Sequence, residues 1–322
     1  GCISMNFPVF DLHCDTALAL LGESFRKCGS LRKNEHHIDL ERASKLGGYA
    51  QCFACFTSDA LDKPIKPVEL FEREMVSVLR EVEKNSDIIR LAYSAADIER
   101  NREQGLYSAI LSIEGPAGFG YDVDLLPDLH AVGFRMTTLG WNDANPLVGS
   151  HSTGGGLTPQ GREYVRKAQA LGMVVDVSHI SDEGFWDIMD ITSAPIIASH
   201  SNSRAVYNHS RNLTDDMFMQ ICRCDGVSGM NFYSEFVGNN KDLDALCDHI
   251  LHFLELDPSG KHICLGGDLD GCDSLPAGFA GVQDYPKLAD CLLARGVNEQ
   301  TVMDIFWNNG LGVMELAVRN HP

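Results

Sequence analysis

A histidine and an aspartate stand two residues apart at the close of a short apolar run, in Val9-Phe10-Asp11-Leu12-His13-Cys14-Asp15. On an extended strand, residues two apart share a face and the residue between them turns away. The His13 imidazole and the Asp15 carboxylate could therefore grip one ion, a donor pair suited to Zn2+ or another divalent transition metal. Other ionisable residues close other apolar runs: Glu114 ends SIE, His179 follows VVDVS, His200 follows IIAS, and Asp268 follows LGG. The two later histidines offer a second metal position, and Glu114 could bridge both. Two cations about 3.5–4 Å apart lower the pKa of a water between them and polarise a carbonyl in the same pocket, which is an arrangement for hydrolysis. Asp268 is then the natural acceptor of the water's proton and its later donor to a leaving group.

These residues need a scaffold that gathers strand ends. Short β-branched or apolar runs alternate with segments of helical period, the pattern of repeated βα units around a parallel sheet. Strands are predicted over Val9–Leu12, Tyr49–Phe56, Tyr107–Ile113, Phe134–Thr138, Met173–Asp176, Pro195–Ser199, Val227–Phe232 and Ile263–Gly267. Clear helices are Val68–Lys84, Thr158–Leu171, Asp215–Arg223 and Leu243–Leu254, the second opening with Thr-Pro at its cap and first-turn positions. Eight such units predict an α/β protein with the (β/α)8 TIM-barrel fold of metallo-dependent hydrolases, one domain over 1–322. In a barrel, catalytic groups come from the C-terminal ends of several strands, so six ionisable residues would converge on one mouth. An open doubly wound sheet would announce itself with a glycine-rich phosphate turn after strand one, and DLHCDTA is no such turn. No linker or low-complexity segment marks a second domain.

Composition narrows the partner. With 322 residues, 44% of them hydrophobic, the chain can bury a large core. Its 45 acidic and 26 basic residues give a formal charge of −19, which repels nucleic acid and anionic membrane and favours a small-molecule partner. The eleven cysteines follow no regular frame, no apolar run reaches membrane-spanning length, and no signal-like segment opens the chain, so reduced thiols and a cytoplasmic location are expected. Cys52 and Cys55 read as core residues of one strand. His36 and His37 fall in a polar loop, His130 on a helix, and His249 with His252 on what reads as an exposed helix face. His151 sits in the glycine-rich GSHSTGGG, a loop that either approaches substrate or forms a lid.

DLHCDT, SIEG, GGLTPQGREYVRKAQALGMVVDVSHIS, IIASHSNSRAV, RNLTDD and GGDLDG occur in that order nearly end to end. In them the chain resembles the membrane (renal) dipeptidase family of dinuclear-zinc barrel enzymes, in its soluble bacterial-type form. The resemblance implies two Zn2+ per chain, bridged by Glu114 and a hydroxide, with His13 and Asp15 on one ion and His179 and His200 on the other. It implies Asp268 as the acid/base and Arg211, in RNLTDD, as the binder of the substrate's C-terminal carboxylate. It further implies a dipeptide substrate, tolerance of a D-residue at the C-terminal position, and a tendency to form homodimers. The chain departs from the family after strand four, where TTLGWNDANP sets Trp141 in place of a histidine near the substrate carbonyl; Asn142, Asn145 or the metal would then serve the oxyanion. No histidine follows Glu114 closely, and the ending Val318-Arg319-Asn320-His321-Pro322 has no apolar tail. Two other readings compete: a barrel amidohydrolase for a cyclic amide or a deamination, and a metal-retaining relative that binds peptides without cleaving them. The first commonly carries H-x-H and a strand-four lysine, whereas this chain has H-x-D and no lysine in Phe134–Thr138.

Overall fold

Eight parallel strands wrap into a barrel in a computed structural model that describes residues 6–319. They are β1 (Val9–Cys14), β2 (Tyr49–Phe56), β3 (Tyr107–Glu114), β4 (Phe134–Thr138), β5 (Val174–Asp176), β6 (Ile196–Ile197), β7 (Ser228–Met230) and β8 (Ile263–Leu265). Neighbours in sequence are neighbours in space, and β8 returns to β1 through Asp11 opposite Leu265. An Ala198–Ser228 bridge joins β6 to β7 and closes the ring. The TIM barrel expected from the alternation is thus the fold observed. Helices Pro67–Lys84, Pro159–Ala170, Asp215–Arg223 and Leu243–Leu256 match the predicted ones to within two residues at each end.

Local chemistry fixes where those helices begin. The Thr158, Ser181, Thr214 and Asp242 side chains each accept a hydrogen bond from the backbone N–H three residues on, satisfying a first-turn donor that has no intrahelical partner. The barrel interior is apolar: Cys52 on β2 and Met136 on β4 meet at 3.9 Å although β3 lies between their strands. Leu12, Ile110, Val174, Ile197 and Cys264 join them in one buried cluster. Trp307, from the C-terminal helical segment, seals one end of this cluster by an edge contact with Phe10, ring centroids 5.9 Å apart. No helix among the described residues is long and apolar enough to cross a membrane.

Three features depart from the sequence reading. A short strand, Ile89–Leu91, adds to the outside of β3 and carries too few residues to show an apolar period. The GSHSTGGG segment is a hairpin, Val148–Ser150 paired with Gly154–Leu157. Its strands approach so closely that a Cβ at Gly149 would meet the Gly154 carbonyl oxygen at 1.9 Å, which is why glycine stands there. His249 is fully buried rather than exposed: it accepts the Ser203 N–H at Nδ1 and faces the Val237 carbonyl with Nε2. A polar residue on a helix face reads as exposed unless its partners, here from other loops, are known.

Glu74 lies wholly buried on helix Pro67–Lys84, with one oxygen accepting the Phe56 N–H at the end of β2. Burial pushes its pKa well above the ordinary glutamate value. A carboxyl raised in the folded state favours folding below its unfolded pKa, and that contribution is lost as pH climbs towards the folded value. Glu74→Gln should therefore raise the Tm at pH 8 relative to wild type and change it little at pH 4, as read by thermal melts at the two pH values.

Candidate metal centre and substrate pocket

The strand ends meet as the barrel requires. The Nε2 atoms of His13, His179 and His200 lie 3.2, 3.1 and 3.5 Å from one oxygen, Oε2 of Glu114. His13 Nε2 is also 3.4 Å from Asp15 Oδ2 and 3.5 Å from Asp268 Oδ1. The His13 ring stacks on that of His200 with centroids 3.6 Å apart. All six residues are buried. His13 Nε2 and Asp15 Oδ1 are buried polar atoms with no hydrogen-bond partner among the described residues, a costly arrangement for groups that can only lose by desolvation. A cation between the lone pairs would satisfy them, and two overlapping sets lie close enough for one: His13 with Glu114 and His200, and His13 with Asp15 and Asp268. The donor set of imidazole nitrogens and carboxylate oxygens fits a transition-metal site.

His13 and Asp15 converge by a route other than simple strand alternation. β1 ends at Cys14, and Asp15 already occupies the N-cap position of helix Thr16–Leu20. A bulge precedes it, because Asp11 to Cys14 on β1 spans only Gln51 to Phe53 on β2. Bulges re-aim side chains. Asp11 accordingly engages the Tyr285 hydroxyl on a surrounding helix, while His13 turns to the mouth. Backbone strain collects here too: His179 (φ 75°) and Asp268 (φ 57°) hold left-handed conformations unusual for residues with a Cβ.

Asn142 sets the tautomer of His179: its Oδ1 only accepts, so His179 Nδ1 donates to it at 2.8 Å and the Nε2 lone pair faces the cluster, while His200 Nδ1 pairs with the Ser199 hydroxyl at 2.6 Å. Burial, with the charges of Arg211 and His13 added, drives the His179 pKa far below its ordinary value, and burial with His13 does the same to His200. Both rings are neutral, as metal ligation demands. Burial alone would depress His13 as well, but Glu114, Asp15 and Asp268 outweigh it and lift its pKa to about 10. Burial and the Asp15 charge push Asp268 up to about 8, against the opposing pull of His13. Burial and the neighbouring Asp15 charge likewise raise Glu114 well above the ordinary glutamate value, so three carboxyl groups crowd one another in a dry site.

The residues beside the cluster divide by what they already hold. Arg211 is 3% exposed; its Nη1 donates to Ser201 Oγ at 2.8 Å, and its guanidinium lies 5.7 Å from the Phe236 ring centroid. Its Nε and Nη2 are buried without a hydrogen-bond acceptor, which leaves two donors of the planar fork for a bidentate anion. Asn142 accepts from His179 and also contacts His151 Nε2 at 3.0 Å, and His151 Nδ1 reaches Ser210 Oγ at 2.7 Å, next to Arg211. Asn145 is spent on its own loop, donating to Leu139 and accepting from Leu147 and Val148. Trp141 walls the mouth, its ring centroid 4.9 Å from Phe56 and 6.4 Å from His179. Asp270, two residues beyond Asp268, has both oxygens engaged by the Thr16 hydroxyl and the His37 N–H.

Sequence reasoning missed several supports: Asp11, which accepts from the His13 N–H at 2.9 Å; Asp176, which accepts from Ser178 and Ser199; and His37, which accepts the Asp270 N–H at 2.8 Å. The aspartates were visible as charged residues inside otherwise apolar strands. His37 carried no signal, since its partner lies more than two hundred residues away. Asn142→Ala should weaken metal retention about 10–100-fold by releasing the His179 ring, measured as metal remaining after titration with a chelator.

The family model described as membrane dipeptidase, peptidase family M19, matches residues 2–321. The chain belongs to the membrane dipeptidase family. Among curated relatives, an uncharacterized dipeptidase of Schizosaccharomyces pombe is 36% identical over 64% of this chain, a match spanning only 52% of that protein. An uncharacterized protein from the pqqA 5′ region of Klebsiella pneumoniae is 31% identical over 78% of this chain and 97% of its own length. A metallo peptidase from Rhodobacter sphaeroides, solved with a phosphinate mimic of the dipeptide L-Ala-D-Ala, superposes with a TM-score of 0.88 at 26% identity, covering 97% of this family member and 100% of that chain.

Proposed function

We propose that this protein is a zinc-dependent dipeptidase, with the whole chain 1–322 acting as one barrel. The observation that carries the reading is the convergence of three imidazole Nε2 atoms on one Glu114 oxygen, beside a buried arginine with two unpaired donors. In this reading His13 and Asp15 would hold one Zn2+ and His179 and His200 a second, with Glu114 a ligand available to both. Such ions would supply Lewis acidity and a water of lowered pKa. Arg211 takes the substrate's terminal carboxylate through Nε and Nη2 and fixes the adjacent peptide bond over the cluster. Asp268, with Oδ1 3.5 Å from His13 Nε2 at the mouth, takes the attacking water's proton and passes it to the departing amine. Trp141 and the Phe56 edge bound the pocket, and Asn142 keeps His179 in register.

Recognition of a free carboxylate next to the scissile bond admits dipeptides and excludes long chains. The ligand of the Rhodobacter relative supports this class and extends it to a D-residue at the C-terminal position. A phosphinate analogue of L-Ala-D-Ala should accordingly inhibit dipeptide cleavage competitively. Absence of inhibition at concentrations that saturate a control dipeptidase would argue against the reading.

A further inference from the structure

A second cluster of ligand-type side chains gathers at the opposite end of the barrel, where strands begin. Cys222 lies in the last turn of helix Asp215–Arg223, Asp257 caps the C-terminal end of helix Leu243–Leu256, and His262 directly precedes β8. One ligand atom from each falls within 4.8 Å of the other two. Asp257 Oδ2 is 3.9 Å from His262 Nε2 and 4.0 Å from Cys222 Sγ. A tetrahedral ion with bonds of about 2.0–2.3 Å spaces its ligand atoms about 3.3–3.7 Å apart, so the two pairs that share Asp257 need close by only a few tenths of an ångström, with Cys222 and His262 within 4.8 Å of each other.

The donors are already oriented. His262 Nδ1 faces the Gly226 carbonyl oxygen at 2.7 Å, and because a carbonyl only accepts, that nitrogen carries the proton and leaves the Nε2 lone pair turned to Asp257. Asp257 is fixed by the Ser259 hydroxyl at 2.9 Å and the Ser259 N–H at 3.3 Å. All three residues are half-buried, which leaves a fourth position open to water. We propose that Cys222, Asp257 and His262 form a second metal site, distinct from the strand-end cluster, that takes a borderline-soft divalent cation such as Zn2+. Thiolate, imidazole and carboxylate together select Zn2+ over Mg2+ or Ca2+. The site ties the elements that lead into β7 and β8, and at the N-terminal face of a barrel such a tie serves stability rather than turnover.

Cobalt distinguishes this site from the strand-end cluster, whose proposed ligands include no thiolate. Chelator-treated full-length protein reloaded with Co2+ should show a near-ultraviolet thiolate-to-cobalt charge-transfer band, and native mass spectrometry should count one metal more in wild type than in Cys222→Ser or Asp257→Asn. Cys222→Ser should lose the band and keep its dipeptide turnover, which separates failure of this site from failure of the dipeptidase reading. Asp257→Asn provides the count should Cys222→Ser fold poorly. A wild-type protein without the band, or a band that survives in Cys222→Ser, would overturn the proposal.

Discussion

Asp268→Asn should lower kcat for dipeptide hydrolysis by about 10²–10⁴-fold, the range a positioned proton carrier contributes, while metal content stays at the wild-type level. The expectation rests on the surroundings of Asp268. Its Oδ1 is 3.5 Å from His13 Nε2, its Oδ2 lies 3.4 Å from Asn231 Nδ2, and its backbone holds a left-handed conformation that aims the carboxyl into the mouth. Asparagine keeps the shape and cannot take a proton. The neighbouring Asp270 offers no substitute, since Thr16 and His37 occupy its oxygens. Asp268 also falls within ligand distance of His13 and Asp15. If it ligates rather than carries protons, the variant will lose metal in step with activity. Metal analysis by plasma emission alongside steady-state kinetics separates the two roles.

Arg211→Met should raise KM for dipeptides by about 100-fold or more, because two charge-assisted hydrogen bonds at roughly 1.5–3 kcal/mol each are removed from one carboxylate. Hydrolysis of the matching dipeptide amide, which has no carboxylate to hold, should be weak in wild type and nearly unchanged in the variant. Arg211→Lys restores charge without the planar fork and should recover only part of the loss. Equal losses on acid and amide substrates would instead mean that Arg211 supports the fold around Ser201 and Phe236.

The barrel was legible because eight apolar runs alternate with segments of helical period, and five of those runs close on an ionisable residue. Asp215–Arg223 was readable to the residue, since Thr214 caps its start and Arg223 closes its last turn. The His13–Asp15 pair was found for an incomplete reason. Alternation predicts a shared face, whereas a bulge and a helix cap bring the two together, and a bulge depends on pairing with a neighbouring strand that sequence order alone does not reveal. The supports of the site were the least visible. Asn142 acts through its hydrogen bond to His179, and His37 through a contact with Asp270; both are long-range, and neither residue's type discloses its partner. His249, expected on an exposed face, is buried because Ser203 and Val237 reach it from other parts of the chain.

The most direct measurement is steady-state hydrolysis of a panel of L-Xaa-L-Xaa and L-Xaa-D-Xaa dipeptides by zinc-loaded protein, with chelator-treated protein, an N-acylated tripeptide and a cyclic amide as controls. The account predicts turnover of dipeptides in both stereochemical series, abolished by the chelator and restored by Zn2+, with the two control substrates untouched. Protein that binds its metal fully and cleaves no dipeptide, or that opens the cyclic amide instead, would contradict it.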